Sequence, residues 1–271
     1  MTATAEDVAF VCQLVRTESA IMLDGSKQYL IESRLRPLAR EAGLETITAL
    51  VDAIKRGSRE LKVNVVEAMT TNETSFFRDS RPFESLNSGV IPLLAQQRAA
   101  TRTLRVWSAA ASSGQEAYSI AMTLREHPTL QGWNIKIQGS DIANSVLAQA
   151  RSGRYAQLEV NRGLPATKLV KWFEKDGLGW VVKPELRQLV KFDQLNLLSQ
   201  WPATYARFDI VFLRNVLIYF DVETKRKILE RMKRAMCEDG YLLLGSAEMM
   251  NGIYDGFRSE RFGQTGWFRS A

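Results

Sequence analysis

The feature that most constrains this chain is a change of hydrophobic period part-way along it. Through about residue 70 the apolar positions recur at helical spacing, as in "EDVAFVCQLVRTES", "KQYLIESRLRPLAREAG", "ETITALVDAIKRGS" and "RELKVNVVEAMTTNET". Gly43 and Gly57 follow the second and third runs as helix stops. From Thr103 the pattern alternates. "LRVWSAA", "NIKIQGSDI", "ARFDIVFLRN" and "GYLLLGS" read as strands, "QEAYSIAMTLREH", residues 144–151 and "VETKRKILERMKRAM" as helices, and "GQTGWFRS" as a terminal strand. Such alternation predicts the α/β class, a mostly parallel sheet covered on both faces. Residues 1–75 are thus expected to form an all-helical domain, 76–100 a linker with one helix, and 101–271 the α/β domain. Short antiparallel strands inserted at about 177–195 complete the expected organisation.

The side-chain inventory excludes much chemistry. His127 is the single histidine, so neither a Ser-His-Asp triad nor a multi-histidine metal site is expected, and its place before Pro128 predicts a solvated helix end. Cys12 and Cys237 offer neither zinc spacing nor a disulfide framework, and both fall in helix-like runs. No apolar stretch is long enough to span a membrane, and the N-terminus lacks the basic start and apolar core of a secretory signal, so a cytoplasmic protein is expected. Of the formal net charge of +6, residues 1–80 carry ten basic against twelve acidic side chains, and residues 151–191 nine against four. The basic excess suits an anionic partner, nucleic acid or an acidic protein surface, and equally suits solubility alone.

In an open α/β sheet, ligands bind beyond the carboxyl ends of the strands, and three loops here fall at such ends. The first, 109–116, has neither the G-x-G-x-x-G of a dinucleotide fold nor the G-K-[ST] of a phosphate loop. Its Glu116 completes a capping-box pattern with Ser113, which alone would account for it; as a ligand it would meet a cation and repel a phosphate. The second loop carries Asp141, placed to accept from a ribose diol or to cap the following helix. The third is Arg214-Asn215, before "VLIYFD". A nucleoside that carries positive charge and no pyrophosphate fits these loops, and S-adenosylmethionine is one.

"TTNETSFFRD", "VWSAAASSGQEAYSIAM", "GSDI", "LNLL" and "RNVLIYFD", in this order behind a helical domain, resemble the CheR family of chemotaxis receptor methyltransferases. The resemblance covers nearly the whole chain. It implies a Rossmann-like class I methyltransferase domain with an antiparallel final strand, a small antiparallel β-insert and a preceding all-α domain. It also implies methyl transfer from S-adenosylmethionine to glutamate side chains on chemoreceptor cytoplasmic helices, with S-adenosylhomocysteine as product and no metal. By similarity the cofactor residues are Asn72, Thr74, Arg78, Glu116, Asp141, Asn196, Leu197, Arg214 and Asn215, with Arg78 and Tyr219 near the transferring methyl. The family's G-E-E-P-Y-S reads Gly114-Gln115-Glu116-Ala117-Tyr118-Ser119 here, which keeps the second acid. Arg34, Arg36 and Arg40 match the basic helix that faces the receptor. The loop Glu174–Gly179 is short beside the insert of members that grip a receptor's tethered C-terminal peptide, so tether independence is expected.

This chemistry needs no histidine. A glutamate with pKa near 4.3 is already ionised at neutral pH, and positioning alone can lower a barrier by roughly 7–11 kcal/mol. A nucleic-acid methyltransferase, suggested by a pI of 9.4, lacks support: no [N/D]-P-P-[Y/F] loop and no Pro-Cys nucleophile is present. A binding module that responds to S-adenosylmethionine without turnover is the other alternative.

Overall fold

The computed structural model describes residues 2–23 and 28–270. Four helices come first: α1 (Ala5–Ser19), α2 (Gln28–Glu41), α3 (Ile47–Lys55) and α4 (Arg59–Met69). They match the four expected runs, except that Lys27 lies outside the described residues and α4 stops before "TTNET". Thr4, Thr46 and Ser58 cap α1, α3 and α4 with their hydroxyls. Gly43 and Gly57 end α2 and α3 in left-handed backbone, each with the paired closing hydrogen bonds of a Schellman motif. Val11, Val15, Ile31, Leu35, Leu50 and Val65 pack the interior of this domain without solvent exposure above 1%.

Residues 76–100 are more than a linker. Helix α5 (Arg81–Ser85), a π-helical turn (Leu86–Val90) and α6 (Ile91–Gln97) run on continuously, and Phe83, Leu86, Val90, Ile91 and Leu94 are buried in the core of the α/β domain. The segment covers one face of the sheet.

The α/β domain follows with β1 (Thr103–Ala109), α7 (Gln115–Glu126), β2 (Asn134–Asp141), α8 (Asn144–Ser152), β3 (Arg154–Ala156), α9 (Gln157–Asn161) and α10 (Ala166–Trp172). Next come β4 (Phe173–Asp176), β5 (Gly179–Val182), α11 (Pro184–Arg187), β6 (Val190–Gln194) and β7 (Phe208–Leu213). Helix α12 (Val222–Ala235), β8 (Met236–Leu244), β9 (Phe257–Phe262) and β10 (Thr265–Ser270) complete it. The main sheet has the order β6-β2-β1-β7-β8-β10-β9, parallel except for β10, which runs antiparallel to both neighbours. Period two divides its side chains: Val106, Ile210, Phe212, Tyr241 and Leu243 enter the core on one face, Trp107, Val211, Leu213, Leu242 and Leu244 that on the other.

Two expectations are corrected here, and one strand is added. The antiparallel insert is β3-β5-β4, not residues 177–195; β6 pairs parallel with β2 and belongs to the main sheet, where Phe192 packs on the core. Strand β9 was not anticipated because "FRSERF" is a largely exposed edge with no apolar alternation. Cys237 lies in β8, where the register with β7 slips, and not in a helix.

Helix α8 begins without a side-chain cap of its own. Its donors are met from the helical domain: Glu67 of α4 accepts from Asn144 N–H (2.8 Å) and from both the N–H and hydroxyl of Ser145. This is a cap supplied across the domain boundary. Glu67→Ala is expected to lower stability by about 1 kcal/mol, the usual value of a cap, measurable by urea unfolding.

Candidate active site

The loops that leave β1, β2, β6 and β7 surround one cleft at the carboxyl edge of the sheet, where the chain order switches direction between β1 and β7. The cleft lining includes Asn72, Thr74, Arg78, Glu116, Asp141, Asn196, Leu197, Arg214, Asn215 and Tyr219. Residues separated by up to 147 positions in the sequence thus share one wall. Ser19 and Ile21, at the end of α1, also line it, so the helical domain closes one side. No linear motif pointed to these two.

The loop after β1 is held in an unusual path. Ala110, Ser112 and Gly114 have φ of 62°, 49° and 94°. For the two that are not glycine, left-handed backbone costs about 1–2 kcal/mol each. Specific bonds fix it: Ala111 N–H donates to Ser140 O, Ser112 N–H to Asp141, Ser112 Oγ to Asn72 O, and Tyr155 of β3 donates its hydroxyl to Ser113 O. The insert therefore supports the loop from behind. Gly114, not Ser113, is the N-cap of α7, so the alternative of a capping box does not form; Ser113 Oγ turns to Gln115. A Cβ on Gly114 would lie 2.9 Å from Ala150 Cβ and 3.1 Å from the Tyr155 hydroxyl. Gly114→Ala is expected to cost about 2–4 kcal/mol, from left-handed strain plus overpacking, read as a lowered urea midpoint with unchanged slope.

Glu116 is freed for a different task. Its Oε1 accepts from Ser108 Oγ at 2.7 Å and its Oε2 from Arg214 at 3.0 Å. Arg214, whose side chain is 2% exposed, also donates to Asp79 (2.7 Å) and to Arg78 O. Its buried Nε has no hydrogen-bond partner among the described residues. Asp141 accepts from Ser112 N–H (2.8 Å) and Ala143 N–H (3.0 Å), and burial pushes its carboxyl up from the ordinary carboxylate value against those donors. Ala143 is the N-cap of α8, so Asp141 reaches only the residue before the helix. Arg78 donates to Glu73 O, and Tyr219 ends a short 3₁₀ turn (Leu217–Tyr219) with its carbonyl bonded to Met22 N–H. Asn72 and Thr74 precede no helix; residues 71–75 have no regular secondary structure and lead into a turn.

Asn196 is committed to the protein itself: its amide donates to Glu18 O at 2.6 Å and accepts from Leu198 N–H. It ties α1 to the sheet domain. Two further expectations change. Arg34 turns from the expected basic face to Ala68 O, Thr70 O and Thr71 Oγ1 at the end of α4, while Arg36 lies 3.7 Å from Glu32 and Arg40 is exposed. His127 stands at the end of α7 as expected, but is buried, with Nδ1 accepting from Thr129 N–H.

The cleft is anionic within a basic protein. Among the described residues its charged lining is Glu73, Glu116 and Asp141 against Arg78 and Arg214. A buried carboxylate at the end of β2 and a surplus of one carboxylate in the lining suit a cationic ligand better than an anionic one. The match to known proteins agrees. Residues 6–70 match the family model for the CheR methyltransferase all-alpha domain, and residues 72–264 that for the CheR methyltransferase SAM binding domain. The chain belongs to the CheR methyltransferase family. It is 40% identical to chemotaxis protein methyltransferase 1 of Pseudomonas aeruginosa over 95% of both chains. It is 42% identical to chemotaxis protein methyltransferase Cher2 of Pseudomonas putida over 88% of both, and 34% identical to the Salmonella typhimurium chemotaxis protein methyltransferase over 90% of this chain and 83% of that one. This CheR-family chain is thus a methyltransferase with an S-adenosylmethionine-binding domain, and none of its described helices is long and apolar enough to cross a membrane.

Proposed function

We propose that the protein transfers the methyl group of S-adenosylmethionine to glutamate carboxylates on the cytoplasmic helices of chemoreceptors, as glutamyl methyl esters. The observation that carries this reading is the convergence of all ten expected cofactor and catalytic residues on one net-anionic cleft, in a chain similar throughout to chemotaxis protein methyltransferases.

S-adenosylmethionine, when bound, supplies an already activated methyl group on a sulfonium. The protein's task is to bind and align. Asp141 accepts from the ribose diol, and the spare acceptor capacity of Glu116 faces the cationic amino-acid end. Arg214, fixed by its two ion pairs, holds Glu116 in place at the cleft wall. Arg78 orients the incoming glutamate and keeps it ionised. Tyr219 orders the same end of the cleft. A single surplus negative charge favours a ligand of net charge +1 over the neutral product, which aids release.

The basic face that remains on α2, Arg36 and Arg40, meets the acidic receptor helix, and Arg34 acts by bracing α4 behind the cleft. The β4–β5 hairpin turns tightly at Gly177, which leaves little surface for a tethered peptide, so receptor methylation is expected not to need one. Peptide mass mapping of receptor incubated with enzyme and S-adenosylmethionine tests the reading. Gain of one methylene mass on glutamate supports it; gain on added nucleic acid, or none with cofactor bound, replaces it with one of the two alternatives.

A further inference from the structure

Glu248, in the loop after β8, has no place in the motifs or in the mechanism above, yet it is the most heavily bonded carboxylate near the cleft. It is 9% exposed and accepts from five backbone N–H groups. Oε2 takes those of Asn215 (2.8 Å) and Gly245 (2.6 Å); Oε1 takes those of Val216 (2.9 Å), Leu217 (2.6 Å) and Ile218 (3.3 Å). Four consecutive amides thus converge on one anion, the arrangement of a backbone nest whose ligand is part of the chain.

The segment so held is the one that builds the cleft. Asn215 is left-handed, with φ of 58°, a conformation that turns the chain sharply after Arg214. The amides of Val216, Leu217 and Ile218 open the 3₁₀ turn that carries Tyr219, and they have no other helical partner. Arg214, Asn215, Val216 and Tyr219 all line the cleft, whereas Glu248 does not. Gly245 completes the cradle: a Cβ there would lie 2.7 Å from Glu248 Oε2 and 2.9 Å from Asn215 N.

We infer that Glu248 is a positioning residue for methyl transfer: its carboxylate fixes the backbone of residues 215–218 so that Arg214 and Tyr219 are held on the cofactor. The inference rests on the cofactor reading of the cleft. It gives Glu248→Gln a specific consequence, because the amide keeps the shape but turns a donor toward N–H donors and offers one acceptor in place of two. Gly245→Ala disturbs the same cradle with the carboxylate still present.

The test is calorimetric titration of the full-length wild type and both variants with S-adenosylhomocysteine, with methyl-transfer kcat and KM and the thermal midpoint measured alongside. In both variants the Kd for S-adenosylhomocysteine and the KM for S-adenosylmethionine are expected to rise about tenfold or more, a shift of about 1.4 kcal/mol. A Val51→Ala variant, in the core of the helical domain, is expected to lower the midpoint and leave Kd unchanged. Unchanged Kd and KM in folded Glu248→Gln and Gly245→Ala overturn the inference, as that pattern belongs to a structural role. If Glu248→Gln does not fold, Gly245→Ala decides alone. Absence of binding by the wild type overturns instead the cofactor reading, and the inference with it.

Discussion

Asp141→Ala is expected to weaken S-adenosylhomocysteine binding by at least about a hundredfold, while the protein stays folded. The carboxylate stands at the carboxyl end of β2 and holds two backbone N–H groups, one from each flanking loop. A hydrogen bond to a charged acceptor contributes about 1.5–3 kcal/mol, and each 1.4 kcal/mol is a factor of ten, so loss of a two-pronged ribose contact reaches this size. Asp141→Asn separates the terms, since it retains one acceptor and little changes in shape. It is expected to fall between wild type and alanine in calorimetry. Acid has a related effect. Burial raises the Asp141 carboxyl, so it protonates at a higher pH than an ordinary carboxylate, and affinity should fall as pH drops through that point. In Asp141→Asn this acid limb should flatten.

Arg214→Met is expected to abolish methyl transfer, with a loss of at least about a hundredfold in kcat/KM, and to destabilise the fold by about 3 kcal/mol. The guanidinium is buried between Glu116 and Asp79, and its removal leaves Glu116, with a side chain only 13% exposed, to bear an unpaired charge. Asp79 is 44% exposed and is screened by solvent, so the estimate stays at the low end for a broken buried pair. The double variant Glu116→Gln/Arg214→Met removes the stranded charge with its partner. It is expected to regain most of the stability and none of the activity, because the guanidinium that ties the Arg78 backbone and Asp79 to the cleft wall is still missing. Urea unfolding and initial-rate kinetics on the three proteins measure both effects.

Much of this was legible in the sequence, for reasons that differ by residue. Five of the seven strands of the main sheet followed from short apolar runs set between helical ones, such as "FDIVFL", every residue of which is buried. The place of Asp141 was legible because an acid that closes the second strand of an α/β sheet stands at the carboxyl edge, where it lines the cleft. For Glu116 the sequence left a cap and a contact to a cation open: Ser113 had the capping spacing, but left-handed Gly114 starts the helix and the carboxylate pairs with Arg214. Asn196 lines the cleft and Arg34 lies on α2, yet their polar atoms are taken by groups at the ends of α1 and α4, and only the three-dimensional path of those helices reveals that. Glu248 was invisible because it recognises backbone amides 30 to 33 residues away, which have no side-chain signature. The insert was misplaced since β5 and β6 both follow short alternating runs, and only pairing partners assign one to each sheet.

The most direct test of the whole account is methyl transfer from radiolabelled S-adenosylmethionine to receptor-enriched membranes by the wild type, Asp141→Ala and Arg78→Ala. The account predicts label on the receptor that mild base releases as methanol, present with wild type and lost in both variants. Label that resists base, or that appears on nucleic acid, would contradict carboxyl methylation, and label undiminished in Asp141→Ala and Arg78→Ala would place the reaction outside this cleft.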